Sequence, residues 1–241
     1  SGRWGLREYG FLTHHFRFQL FRLGRLEYVL QPCALPCYAL RGPRGRWKTL
    51  ALDGARFTPS GEADGADGHF DPAAWTARFS RDESGFRGCE IDARGRAHAG
   101  EVVLPADQWQ LMLSPGDPVL DVHIPEGERL DREAVISSMR SAPAFFARHL
   151  GAREIRALTC ESWMLDWALE EIAPGSNLAW FSALFRRAPS AGGERQMVDR
   201  VFGFDVPDPA RGPDKTSLQR AIQAWYARGG RCRGAFGYIP L

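Results

Sequence analysis

The sequence predicts an α/β fold, and three observations predict it. Val119–Ile124 is a short apolar run that reads as a strand. A helical stretch, Asp131–Leu150, follows a Pro-Glu-Gly turn. A second strand-like run, Glu154–Cys160, comes after Gly151. Strand, crossover helix and strand in that order make a βαβ unit, expected to be parallel and right-handed.

The other elements follow in chain order. Residues 4–23 are dense in aromatics (Trp4, Tyr9, Phe11, Phe16, Phe18, Phe21), and Leu12, Phe16 and Leu20 recur at the spacing of one helix face. Leu23–Gln31 alternates and reads as a strand. Residues 42–72, with GEADGADG at 61–68, read as a flexible Gly/Asp-rich surface loop without the spacing of a calcium loop. Asp92–Gly95 reads as a hairpin turn between Gly88–Ile91 and Glu101–Leu104, and Gln108–Leu113 fits helix or strand. Within Asp131–Leu150, Pro143 removes a backbone donor, so a kink or break is expected there, and Gly151 supplies the stop. Trp163–Ile172 reads as a short helix, Asn177–Phe185 as an aromatic and apolar stretch, and Glu194–Phe202 as a helix. Thr216–Arg228 is a helix opened by the capping box Thr216-Ser217-Leu218-Gln219 and ended by Gly229-Gly230. Cys232–Ile239 is a last strand. We read 1–241 as a single domain.

Composition narrows the function classes. Hydrophobic residues make up 44% of the 241 and charged residues 25%, ordinary for a globular chain. A net charge of +2 argues against a dedicated nucleic-acid binder. No apolar run reaches the roughly 18 residues of a membrane span. The five cysteines are odd in number and irregularly spaced, and Cys33-Ala-Leu-Pro-Cys37 has no second pair to complete a zinc site. They read as free thiols of a cytoplasmic protein, with no metal expected. The chain begins Ser1-Gly2, without Met, as a tagged or partial chain does.

Candidate chemistry gathers at the ends of the two βαβ strands, where α/β sheets place ligands. Asp121 and His123 share one strand face, Val122 and Ile124 the other. A histidine with an unperturbed pKa of about 6.5 suits a general base, though one merely hydrogen-bonded on the sheet face is as good a reading of the residues. Cys160-Glu161-Ser162-Trp163 ends the second strand, so Glu161 can orient or replace His123 and Ser162 can bond a substrate. Between strand and helix, Gly127 permits a close approach of backbone, and unpaired N–H groups at the helix start suit an anion. Glu126, Glu128 and Asp131 place negative charge there, which favours the helix dipole and opposes phosphate; Arg129 and Arg132 offset it in part. Trp163, Trp167, Trp180 and Phe181 lie close in sequence and read as core or as a substrate wall. Arg220, near the start of the last helix, reads as solvated rather than phosphate-binding.

Several segments, in order, carry a resemblance: LFRLGRLEY (20–28), GDPVLDVHIPEG (116–127), CESWMLD (160–166), PGSNLAWF (174–181), TSLQRAI (216–222) and GGRCRGAFG (229–237). Together they resemble the C-terminal domain of bacterial GNAT-like acyltransferases, over most of the chain outside the Gly/Asp loop. The resemblance implies a strongly twisted mixed sheet flanked by helices on both faces. An N-terminal helical domain normally precedes this one in the family, so the chain is expected to be a fragment. The two βαβ strands would splay, and acyl-CoA or an acyl-phosphopantetheine carrier would enter between them as co-substrate. The pyrophosphate would rest on the turn, so Ile124, Glu126, Gly127, Arg129 and Arg132 are the expected cofactor-binding residues. His123, Glu161 and Ser162 are the expected catalytic residues. The acceptor would be an amine or similar nucleophile on a small molecule or peptide, with an acyl carrier protein as a further partner. A non-catalytic acyl-thioester or protein-binding module on the same fold is the alternative. Two positions depart from the family pattern: the turn reads IPEGERLD in place of [QR]-x-x-G-x-[GA], and Glu161 stands where His is expected.

Overall fold

Gly24, at a φ of +63°, closes a tight hairpin between β1 (Leu20–Leu23) and β2 (Leu26–Pro32), in which Leu23 faces Leu26. The computed structural model, which describes residues 9–151 and 154–241, builds two six-stranded sheets outward from such local turns. Ahead of the hairpin lies a short helix, α1 (Tyr9–Phe16). Trp4 lies outside the described residues.

The second sheet is assembled from β3 (Cys37–Arg41), β4 (Trp47–Ala51), β7 (Phe79–Asp82), β8 (Gly85–Ile91), β9 (Ala97–Pro105) and β10 (Gln110–Leu113), all antiparallel. A two-stranded ribbon, β5 (Arg56–Phe57) with β6 (Trp75–Thr76), stands beside it. The chain then returns to the first sheet through β11 (Pro118–His123), crosses over by α2 (Arg132–Leu150) and enters β12 (Ala157–Ser162). After α3 (Leu169–Ile172), α4 (Asn177–Ala183), β13 (Arg186–Pro189), α5 (Glu194–Val201) and α6 (Ser217–Ala227), β14 (Ala235–Pro240) completes it. The order is β1-β2-β11-β12-β14-β13, and β11 with β12 is its parallel pair.

Strand alternation sends side chains to two cores. On one face, Tyr28, Leu120, Val122, Leu158 and Cys160 meet Val135, Met139, Ala142 and Phe146 of α2 and Phe181 of α4. Each of the leucine, valine, methionine and phenylalanine side chains contributes about 1.5–3 kcal/mol through burial. On the other face, Val119, Ala157 and Tyr238 meet Cys37, Ala39, Ala51, Cys89, Ile91 and Leu113 of the second sheet. The Tyr238 hydroxyl and Thr49 Oγ1, 2.7 Å apart, tie the sheets together. A third cluster joins α5 and α6 through Met197, Val198, Ile222 and Cys232.

The mixed α/β class is as expected, but the helices expected on both faces of the first sheet cover one of them, and strands cover the other. What the sequence reading did not contain is the second sheet, which forms the layer opposite α2. Its strand β4 lies inside residues 42–72, read as a flexible loop. Trp47-Lys48-Thr49-Leu50-Ala51 is short, but Leu50 and Ala51 are fully buried, and packing overrides the surrounding Gly and Arg. Leu20 sits in β1 rather than on the first helix. Pro143 does not interrupt α2, which runs unbroken to Gly151 at a left-handed φ of 64°. Tertiary contact along the buried face, including Ala142 and Phe146, outweighs the single lost ladder bond. Gln110–Leu113 is a strand, and the stretch read as Trp163–Ile172 is a single 3-10 turn (Trp163–Leu165) followed by α3.

Candidate active site

β11 and β12 pair in parallel from Val119 with Ala157 to Asp121 with Thr159, and there the ladder ends. Both strands continue. β11 stays on β2 as far as His123 opposite Glu27, while β12 stays on β14 as far as Ser162 opposite Ala235. Two adjacent strands that keep their outer partners and lose each other must open between them, at Val122–His123 and Cys160–Glu161.

Alternation places Asp121 and His123 of β11, and Thr159 and Glu161 of β12, on the face toward the second sheet. Asp121 bridges the last rung. Its Oδ1 accepts from Thr159 Oγ1 at 3.1 Å, and its Oδ2 lies 3.2 Å from His123 Nε2. The His123 side chain is 30% exposed and that of Asp121 18%, so the imidazole reaches solvent with a mostly buried carboxylate behind it. Glu161 is exposed and accepts from Ser190 Oγ at 2.8 Å. Ser162 does not join this group. It is buried on the opposite face, where its Oγ accepts from Met164 N at 3.1 Å and caps the 3-10 turn. Cys160 is buried in the core beside α2, where desolvation pushes its thiol well above the ordinary range.

The turn before α2 is built by partners the sequence does not place side by side. Arg25, almost fully buried, donates from Nε to the carbonyl of Arg129 at 2.9 Å and from Nη2 to that of Glu128 at 2.8 Å. Each acid of the turn is engaged: Glu126 with Arg200, Glu128 with Arg22 at 2.7 Å, and Asp131 as the N-cap of α2, accepting from Ala134 N at 2.9 Å. Gly127 holds a φ of 90° with open space where a Cβ would stand. Ile124 packs on the core beside α2. Arg129 is exposed. Arg132 bonds Asn177 Oδ1 and the Gly175 carbonyl and lies over the Trp180 ring, so it links the starts of α2 and α4.

Sequence reasoning missed Thr159 as the partner of Asp121 and Arg25 as the brace of the turn. Alternation on β12 signals the first; nothing local signals the second, whose partners lie about a hundred residues away. The four clustered aromatics separate: Phe181 enters the core beside α2, Trp180 meets Arg132, Trp163 joins the α5–α6 cluster, and Trp167 lies under Arg94 and Arg96. Arg220 bonds the carbonyls of Asp214 and Lys215. All five cysteines are buried and outside any disulfide. Among the described residues no helix is long and apolar enough to cross a membrane, and no His/Cys/Asp/Glu group is placed to hold a metal ion.

Compared with models of protein families, residues 20–239 match the GNAT-like C-terminal domain. The chain belongs to this family. Among solved structures, the GNAT-like domain is similar to an acyltransferase in complex with decanoyl-CoA and teicoplanin, at a TM-score of 0.58 and 22% identity. It is similar also to an acyltransferase in complex with CoA and 10C-teicoplanin, at a TM-score of 0.59 and 22% identity. In both cases the match covers 100% of this chain and 52% of the other, so the GNAT-like domain spans about half the length of the structures it matches. The likeness is one of fold. No curated protein matches the chain.

Proposed function

We propose that this GNAT-like domain transfers an acyl group from a CoA thioester directly to an amine. The opening between β11 and β12 carries the reading: the parallel ladder stops at Asp121–Thr159 and leaves His123 and Glu161 on one face at its two sides. The thioester would lie in this opening and its pyrophosphate on the turn at residues 125–130. There Gly127 leaves the backbone open and the start of α2 favours an anion. The engagement of Glu126, Glu128 and Asp131 reduces the repulsion their count implies. That the similar acyltransferases were solved with CoA and decanoyl-CoA supports the co-substrate.

The chemistry asks for one base and one close approach. The His123 imidazole, with Nε2 3.2 Å from Asp121 Oδ2, takes the amine proton as nitrogen attacks the acyl carbonyl. The C–N bond forms, the C–S bond breaks, and the thiolate leaves and takes a proton from solvent. Glu161 is the second candidate for base. Ile124, Gly127, Arg129 and Arg132 would seat the CoA, and Glu126 would hold the turn through Arg200.

Calorimetric titration with acetyl-, octanoyl- and decanoyl-CoA, together with thiol release in the presence of amines, tests this. Binding of at least one acyl-CoA and amine-dependent thiol release are expected. Absence of binding by all three would end the reading.

A further inference from the structure

We propose that a narrow cleft beside Glu161 is the acceptor subsite and selects amines that also carry a carboxylate, which Arg94 and Arg96 receive. The inference rests on the acyl-transfer reading. The cleft lies between the β8–β9 turn, the segment after β12 and the start of β14, and is lined among others by Glu62, Arg94, Arg96, Trp167, Ser190 and Arg233. It adjoins the proposed reaction site: Ser190, in its wall, is the residue whose hydroxyl bonds Glu161.

The charge balance of the cleft points to an anion. Its two carboxylates are already engaged. Glu62 lies 3.2 Å from Arg233 Nε. Asp166 accepts backbone N–H groups from Ala168 at 2.9 Å and Arg233 at 2.5 Å. Arg94 and Arg96 have no such partner among the described residues. Their guanidinium carbons lie 5.2 and 5.0 Å from the centroid of the Trp167 ring, and Arg96 Nε is buried without a hydrogen-bond acceptor. Guanidinium groups present paired N–H donors whose spacing fits a carboxylate, and an aromatic face fixes their position in advance. An acceptor anchored there by its carboxylate would extend its amine past Ser190 toward Glu161 and the opening.

Two measurements test the subsite. The first is amine-dependent thiol release from octanoyl-CoA with dipeptides as free acids and as C-terminal amides. The free acids are expected to show at least a tenfold higher kcat/KM. In the Arg94→Gln/Arg96→Gln double variant that ratio is expected to fall to about one through a rise in KM for the acids. Turnover without an acid–amide difference, or a difference that survives in the double variant, overturns the subsite and leaves acyl transfer standing. The second is the Arg96 Nε–H resonance during titration with glycylglycine and with glycylglycinamide. A shift with the acid alone is expected; no shift, or equal shifts, overturns the proposal. A shift with the acid and no amine turnover at all retains the anion site and overturns both its acceptor role and the transferase reading.

Discussion

Asp121 Oδ2 lies 3.2 Å from Nε2 of His123, and the same carboxylate holds Thr159 across the last rung before the strands part. One side chain therefore orients the proposed base and fixes the point where the sheet opens. His123→Ala is expected to lower amine-dependent thiol release by about 10²–10⁴-fold, the range of a lost general base, and to leave acyl-CoA affinity within about twofold. Asp121→Asn should lower turnover by about tenfold or more, because the amide no longer places a charged acceptor beside the proposed base. Unchanged turnover in His123→Ala would remove it from the mechanism and leave Glu161 as base.

Arg25 ties the β1–β2 hairpin turn to the turn proposed to seat the pyrophosphate. Replacing it with Met removes two guanidinium bonds to the carbonyls of Glu128 and Arg129, each worth roughly 1.5–3 kcal/mol. We expect Arg25→Met to lower the urea-unfolding free energy by about 3–6 kcal/mol. We also expect it to weaken acyl-CoA binding by about tenfold, read by calorimetry under conditions where the variant remains folded. Loss of stability with unchanged affinity would place the pyrophosphate elsewhere.

The parts of this fold that the sequence disclosed are those set by local signals. The β11–α2–β12 unit, the Asp92–Gly95 hairpin and the Thr216 capping box each depend on residues a few positions apart. The second sheet was obscured because β4 is a five-residue strand between Gly- and Arg-rich turns, and its burial depends on partners such as Ile91 and Tyr238 far along the chain. The site was half legible for the same reason. His123 and Glu161 follow from strand alternation. The charge of the turn could not be read by counting, since Glu126 meets Arg200 across 74 positions and Glu128 meets Arg22 across 106. Ser162, one residue past Glu161 in the alternation, falls on the opposite face of the sheet.

Gln219 links α6 to α5 as well as capping its own helix. Thr216 Oγ1 accepts from Gln219 N at 3.1 Å, Gln219 Oε1 accepts from Thr216 N at 2.9 Å, and Gln219 Nε2 donates to the Val201 carbonyl at 2.8 Å. Thr216→Ala should cost about 1 kcal/mol, the usual value of a lost N-cap. Gln219→Ala should cost roughly 2 kcal/mol, since the part-buried Val201 carbonyl loses its donor as well. Urea unfolding of the two variants checks the order, and a larger loss for Thr216→Ala would contradict this account.

Asp166 gives the stability a pH dependence of predictable sign. Burial is the main cause that raises its carboxyl from the ordinary 3.8 to about 6, against the backbone N–H bonds from Ala168 and Arg233 that oppose the rise. The folded state therefore holds this proton more tightly than the unfolded chain. Its contribution to stability is fully present below about pH 3.8 and is lost as pH rises through about 6. A shift of about two units corresponds to roughly 3 kcal/mol at about 1.4 kcal/mol per unit. The Asp166→Asn variant has no proton to lose. The unfolding free energy of the wild type relative to this variant should therefore fall by roughly 3 kcal/mol between about pH 4 and pH 7. Parallel stability curves for the two proteins across that interval would show that Asp166 is ionised throughout and that its backbone donors outweigh its burial.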